Sequence, residues 1–170
     1  MAENSPIEWT DATWNPITGE VRLNEQWLDQ PLRWTRPRMI FVCAHGDLFH
    51  EGVPDEWIDR VFAVMALARW HTFQVLTKRP ARARAYLSDP RRVDAIVDGF
   101  NGSETADALT YALAEQGWPL PNVWPGTSIE DQATADARIP HLLATPAAVR
   151  FVSAEPLLGP IGSVERDEAN

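Results

Sequence analysis

Four clusters of hydrogen-bonding and charged residues each follow an apolar run, and their types set out the chemistry open to this chain. Asp47 comes after Met39 to Ala44 (MIFVCA), and Thr77, Lys78 and Arg79 end the stretch HTFQVLTKRP. Ser128, Glu130 and Asp131 follow Leu120 to Thr127 (LPNVWPGT), and Ser153 and Glu155 follow Val149 to Val152. Basic groups opposed by acids suit a zwitterionic or phosphate-bearing small molecule better than a long polyanion. The hydroxyls of Thr77, Thr127, Ser128 and Ser153 add groups that orient such a ligand. Each cluster also has a plainer reading: Lys78 and Arg79 as a solvated pair, Glu130 and Asp131 as acids at a helix start, Glu155 as part of a loop before proline. The repetition of the pattern points to one shared pocket.

Other chemistries are weakly supported. His45 and His50 beside Asp47 are of types that bind zinc or iron. Their spacing matches no strong metal signature and no Cys-x-x-Cys occurs, so no metal site is assigned. There is no glycine-rich phosphate loop and no nucleophile elbow.

The elements that must position these residues are legible as alternating strands and helices. Thr72 to Leu76 reads as a buried strand, and Pro80 starts a new element because proline is tolerated in a helix's first turn. Pro54 likewise opens a helix over PDEWIDRVFAVMALARW, with Trp57, Val61, Val64, Met65 and Ala68 at helical spacing. ARARAYL, Pro90 to Val97 and Ser103 to Gln116 are further helices, the last ended by Gly117. In LPNVWPGT, Pro125-Gly126 reads as the strand exit, and Pro140 is expected to kink or split the helix that follows. Glu20 to Arg38 reads as loop-like, with at most a short helix at Asn24 to Asp29. Near Trp34, Arg33, Arg36 and Arg38 form either an anion patch or, more simply, arginine packed on tryptophan. Trp9 and Trp14 read as anchors of an N-terminal arm; the sharper reading makes the Asn15 to Gly19 loop part of a ligand pocket.

Strands alternating with helices imply parallel pairing. The fold class is therefore α/β, a partial (βα) barrel or parallel sheet of about four strands flanked by helices. In such sheets ligands bind at the C-terminal strand ends, where the four clusters fall.

Composition bounds the rest. The chain has 170 residues, 45% of them hydrophobic and 23% charged, which is ordinary globular usage. One α/β domain over 1–160 is expected, a Trp-rich arm (1–38) and βα units (39–160), with a flexible tail at 161–170. A net charge of −9 opposes non-specific nucleic-acid binding. No apolar run is long enough for a bilayer and the N-terminus lacks a leader pattern, so a soluble, cytoplasmic protein is expected. The single cysteine, Cys43, sits in an apolar run and reads as core.

The segments IEWTDATWNPITG, PLRW-x-x-PRMIFV, DLFHE-x-VP, VFAVMA, FQVLTKRP, SIEDQ-x-x-AD-x-RIP and VRFVSAEPLLGP resemble the phage and bacterial three-Cys-motif family, which is similar to the radical S-adenosylmethionine (SAM) superfamily. The resemblance runs from about Ile7 to Gly159. It implies a radical-SAM-like partial barrel in a bacterial host cell, SAM across the strand ends, and a [4Fe–4S] cluster held by three early cysteines. It carries Asp47, Lys78, Arg79, Ser128, Glu130, Asp131, Ser153 and Glu155 as cofactor-binding residues. The departures are clear. Gly19 runs directly into Glu20-Val21-Arg22-Leu23, where relatives carry the cysteines. His45-Gly46 replaces a hydroxyl-containing residue and methionine, and relatives continue past the Leu-Leu-Gly-Pro turn with more strand and helix. The expected function is thus a cluster-less, shortened relative that keeps a SAM- or nucleotide-like pocket. The alternative is a non-enzymatic module that binds a protein partner, or itself, through an exposed sheet surface. A hydrolase or transferase is a third reading, requiring carboxylates with pKa values near neutrality.

Overall fold

Four uncharged segments build the central sheet in this computed structural model, which describes residues 12–14, 21–44 and 46–162. Strands β3 (Met39–Val42), β4 (Thr72–Thr77), β5 (Val123–Ser128) and β6 (Phe151–Ser153) pair in parallel in the order β3-β4-β5-β6. A separate antiparallel pair, β1 (Ala12–Trp14) and β2 (Val21–Leu23), precedes them. The short helices α1 (Glu25–Leu28) and α2 (Gln30–Arg33) lead into β3. Helix α3 (Asp55–Leu67) joins β3 to β4, and α4 (Pro80–Leu87), α5 (Arg91–Asp98) and α6 (Glu104–Gln116) join β4 to β5. Helix α7 (Gln132–Leu143) joins β5 to β6.

The ladder registers sort the strand residues onto two faces. Ile40, Phe73 and Val123 lie abreast, as do Val42, Val75 and Pro125. This face is buried and joins Ile58, Phe62 and Met65 of α3 with Leu109 of α6 and Leu120 in one core. Phe62 packs between the rings of Tyr86 and Trp118. The other face carries Met39, then Phe41, Gln74 and Trp124 abreast, then Leu76, Gly126 and Phe151. Met39 is 60% and Phe41 37% exposed, and Gln74, Leu76, Trp124 and Phe151 are only partly buried. The described helices thus cover one face of the sheet.

Several local expectations hold. Pro54 stands before α3, with Asp55 and Glu56 in its first turn, where negative charge offsets the helix dipole. Ser103 precedes α6, and Gly117 ends it at φ 79°, a left-handed conformation that suits glycine. Cys43 is buried, and the guanidinium of Arg38 lies 4.5 Å from the centre of the Trp34 ring. Arg33 pairs instead with Asp29.

Other expectations are corrected. Between Glu20 and Arg38, α1 falls where a short helix is expected, but the stretch that otherwise reads as loop also contains β2 and α2. The first core strand stops at Val42, because Cys43 turns to a φ of 55°. Helix α3 is buried nearly all round, including Ile58 and Phe62, while Trp57 is only partly buried. Pro125 and Gly126 lie inside β5, not at its exit. On the β6 side the ladder begins only at Gly126, so the missing Pro125 N–H leaves no partner strand unpaired there. Gly126 is required by Phe151, whose ring would come within 2.5 Å of a Cβ at that position. The last strand is Phe151–Ser153, starting two residues later than expected and ending one later. Helix α7 is continuous from Gln132 to Leu143 despite Pro140, which lies in its last turn. The Trp9 anchor, the Asn15 to Gly19 loop and the tail from residue 163 lie outside the described residues.

One buried imidazole locks the start of β4. His71 is 1% exposed. The Arg38 N–H donates to its Nδ1 (3.1 Å), and its Nε2–H donates to the Pro31 carbonyl (3.0 Å). This pairing fixes the neutral Nε2–H tautomer, and burial pushes the ring's pKa down from its ordinary value. The unfolded chain therefore binds a proton that the folded chain refuses, so stability rises with pH across that window. Urea midpoints should be constant above pH about 6.5 and should fall as the pH drops below it; a midpoint flat from pH 7 to 5.5 would contradict this lock. Separately, Gly126→Ala should cost about 1–3 kcal/mol through overpacking, read as a lower midpoint with an unchanged slope.

Candidate functional site

The exits of β3, β4, β5 and β6 are tied into a continuous polar rim. Its hub is Asp47, in the loop after β3. One carboxylate oxygen accepts from the Phe49 N–H (2.9 Å) and the Thr77 hydroxyl (2.7 Å). The other accepts from the Lys78 N–H (3.0 Å) and Arg79 Nη1 (3.0 Å). Arg79 Nε also donates to Glu51 (2.6 Å), and the Arg79 N–H donates to the Thr77 hydroxyl (2.9 Å). Burial of Arg79 opposes its charge, yet hydrogen bonds to Glu51 and Asp47 leave the net pKa raised. Asp47 and Arg79 therefore hold β3 and β4 together at the rim.

Lys78, one residue beyond β4, reaches towards the next strand. Its Nζ lies 2.6 Å from Glu130 Oε1, and Arg138 Nη1 donates to Glu130 Oε2 at 2.8 Å. The Glu130 side chain is only 8% exposed, whereas Lys78 is 54% exposed. The Lys78 hydrogen bond pulls the Glu130 pKa below the usual carboxylate value; desolvation opposes this and Arg138 adds to it. The Glu130 carbonyl accepts from the Leu158 N–H (2.7 Å), and the Ile129 N–H donates to the Ser153 carbonyl (2.9 Å), which binds the β6 exit to the β5 exit.

The remaining expected residues divide. Ser128 and Ser153 are partners in the β5–β6 ladder, on the face that the helices leave uncovered, with Ser128 buried and Ser153 half-buried. Asp131 is the α7 cap: it accepts from the Thr134 N–H (2.8 Å), while the Thr134 hydroxyl accepts from the Asp131 N–H (3.0 Å), a reciprocal capping arrangement. The Thr134 N–H and hydroxyl, both donating to its carboxylate, lower its pKa. Glu155 is exposed two residues beyond β6 and belongs to none of the rim's ion pairs. His45 lies outside the described residues, and His50 Nδ1 accepts from the Gly52 N–H (3.0 Å).

The structure thus brings Asp47, Lys78, Arg79, Glu130, Ser128 and Ser153 to one rim and assigns Asp131 to helix capping. Arg138 and Glu51 were missed as rim residues. Arg138 had a faint signal: it lies seven residues after the α7 cap, two turns along one helix face. Glu51 had none, because its pairing with Arg79 spans 28 residues.

The Glu130, Asp131 and Glu51 carboxylates all have lowered pKa values. They are fixed negative charges at neutral pH, suited to orienting cations and less to shuttling protons. Asp59 is the raised carboxylate, by burial, but it sits in α3 and accepts from the Tyr86 hydroxyl at 2.6 Å, within the helical layer.

Fold and rim define an α/β protein with a parallel sheet whose charged C-terminal edge adjoins an uncharged face that the described helices leave open. The chain belongs to the family described as Protein of unknown function (DUF5131), whose profile matches residues 17–168. No curated protein and no solved structure matches it. Among the described residues, no helix is long and apolar enough to cross a membrane.

Glu130 should behave as the anchor of this rim. Arg138→Ala should cost about 1.5–3 kcal/mol, as loss of a charge-assisted hydrogen bond to a buried group does. Lys78→Ala should cost under about 1 kcal/mol, because its side chain is half-exposed and solvent screens such a pair. Equal losses in urea titrations would refute this ranking. The stability that Glu130 contributes should be complete above pH about 4.5 and should decline as pH falls towards its lowered folded pKa.

Proposed function

We propose that this protein is a cluster-less, radical-SAM-like binding protein that holds a small molecule of SAM or nucleotide type at the strand C-terminal ends. The carrying observation is the Lys78 ammonium. It is half-exposed, is anchored by a buried carboxylate, and stands where the uncovered sheet face meets the rim. Below it lie Leu76, Gly126 and Phe151, abreast in the ladders. Beside it are the ladder partners Ser128 and Ser153. An apolar floor with a few polar groups at one end suits a ligand with a planar body and a charged group.

Redox chemistry through an iron–sulfur cluster fits this chain poorly. A thiolate-held cluster needs several cysteines, whereas the chain has Cys43 alone, buried at the end of β3. No step is therefore routed through such a group. The lowered carboxylate pKa values favour binding over acid–base hydrolysis. A second reading, an interaction module, draws support from the exposed Met39 and Phe41 on the sheet face.

Calorimetry with SAM and with S-adenosylhomocysteine tests the first reading. Heat of binding is expected for at least one, weakened about tenfold or more by Lys78→Ala, as loss of a charged hydrogen bond predicts. Absence of heat with both would overturn the assignment to this ligand class.

A further inference from the structure

We propose that a second copy of this chain covers the open sheet face, with β6 of each copy pairing in parallel with β3 of the other. The two four-stranded sheets then close into one barrel. Parallel sheets are stable when both faces are covered; among the described residues, helices cover only the Ile40–Phe73–Val123 face. The opposite face exposes Met39 and Phe41, and none of the four strands contains a charged residue.

The edges point the same way. Among the described residues β3 and β6 end the strand order; both are short, and neither contains a charge or a proline, two of the devices that protect a free edge. Val152, opposite Thr127 on the helix side of β6, is exposed, as are Leu143, Val149, Leu157 and Leu158, which lie near it in sequence.

Geometry selects the partner. Strands in sequential order, all parallel, with helices on one side, form an arc of a (βα) barrel. A two-fold axis along the strands brings β6 of one copy beside β3 of the other at both seams at once. Face-to-face stacking would cover the sheet but leave every edge free. A different protein would need two free parallel edges at matching spacing, a requirement that a second copy meets by symmetry. Strands about 4.8 Å apart and roughly 3.3 Å per residue make the open face about 300 Å² per copy. The two seams and the β6 flank extend it towards the roughly 800 Å² per partner of a stable interface. A net charge of −9 per copy opposes association, but the contact surface itself is uncharged, and 0.15 M salt screens charges beyond about 8 Å.

Closure would place Lys78, Ser128 and Ser153 of both copies around one mouth, so that each copy completes the other's rim. The test needs no ligand, and its failure leaves the ligand reading standing. Sedimentation equilibrium of the full chain in 0.15 M salt should show a concentration-dependent dimer. Phe41→Glu, and independently Met39→Lys at a side chain already in solvent, should each weaken it about tenfold or more. Tyr111→Glu, on the exposed surface of α6, should leave it unchanged. Circular dichroism checks that each variant is folded. On dilution, hydrogen exchange in β6 should accelerate with dissociation. A monomer at all concentrations would overturn the proposal, as would a dimer weakened by Tyr111→Glu and not by the two face variants.

Discussion

Asp47 is the constraint on which the rim depends. Its loop must return from β3 close enough for one carboxylate to accept from two backbone N–H groups, a hydroxyl and a guanidinium. A buried or half-buried carboxylate is tolerated only when its lone pairs are matched in this way. Once they are, the first residues beyond β4 have little freedom: Thr77 faces Asp47, the Lys78 backbone is pinned, and the Lys78 side chain is left to reach Glu130. The rim is a chain of consequences from one pairing.

The same economy explains why the polar edge reads as a binding surface. Lys78 lowers the pKa of Glu130, and backbone groups with Arg79 or Thr134 lower those of Glu51 and Asp131; a charge held in this way cannot easily deliver or take a proton near neutral pH. Lys78 differs because its partner is buried while its own side chain is half-exposed. A ligand anion can approach it without breaking the core. Beneath it the sheet offers carbon and sulfur, not charge, so the site has a direction: polar at the mouth, apolar along the floor.

Layering gives the second organising fact. One sheet face is closed by helices and the other is open, and side chains divide accordingly. Phe73 and Val75 vanish into the core while their neighbours Gln74 and Leu76 are partly in solvent. In an antiparallel sheet this alternation would accompany a polar outer face. Here the outer face is apolar in Met39, Phe41, Leu76, Trp124 and Phe151, and such a face is more typical of an interior.

Much of this was written in the chain. Local rules located β4, the starts of α3 and α4, and the Gly117 stop of α6, because proline, glycine and helix-capping preferences act within a few residues. Parallel order followed from alternation, and it carried Asp47, Lys78, Glu130 and Ser153 to one edge. Local rules failed where a distant residue decided. Pro125-Gly126 has the form of a turn, yet β6 starts too late to need the proline N–H, and the Phe151 ring occupies the space of a side chain. Glu130 and Asp131 are adjacent acids of similar character. Only folding sent one to Lys78 and Arg138 and kept the other as a helix cap. Residue type and spacing determined which elements form and which ends carry charge. Which charges meet, and which sheet face stays open, was decided by packing between segments far apart in sequence, because ion pairing and burial depend on distance in space.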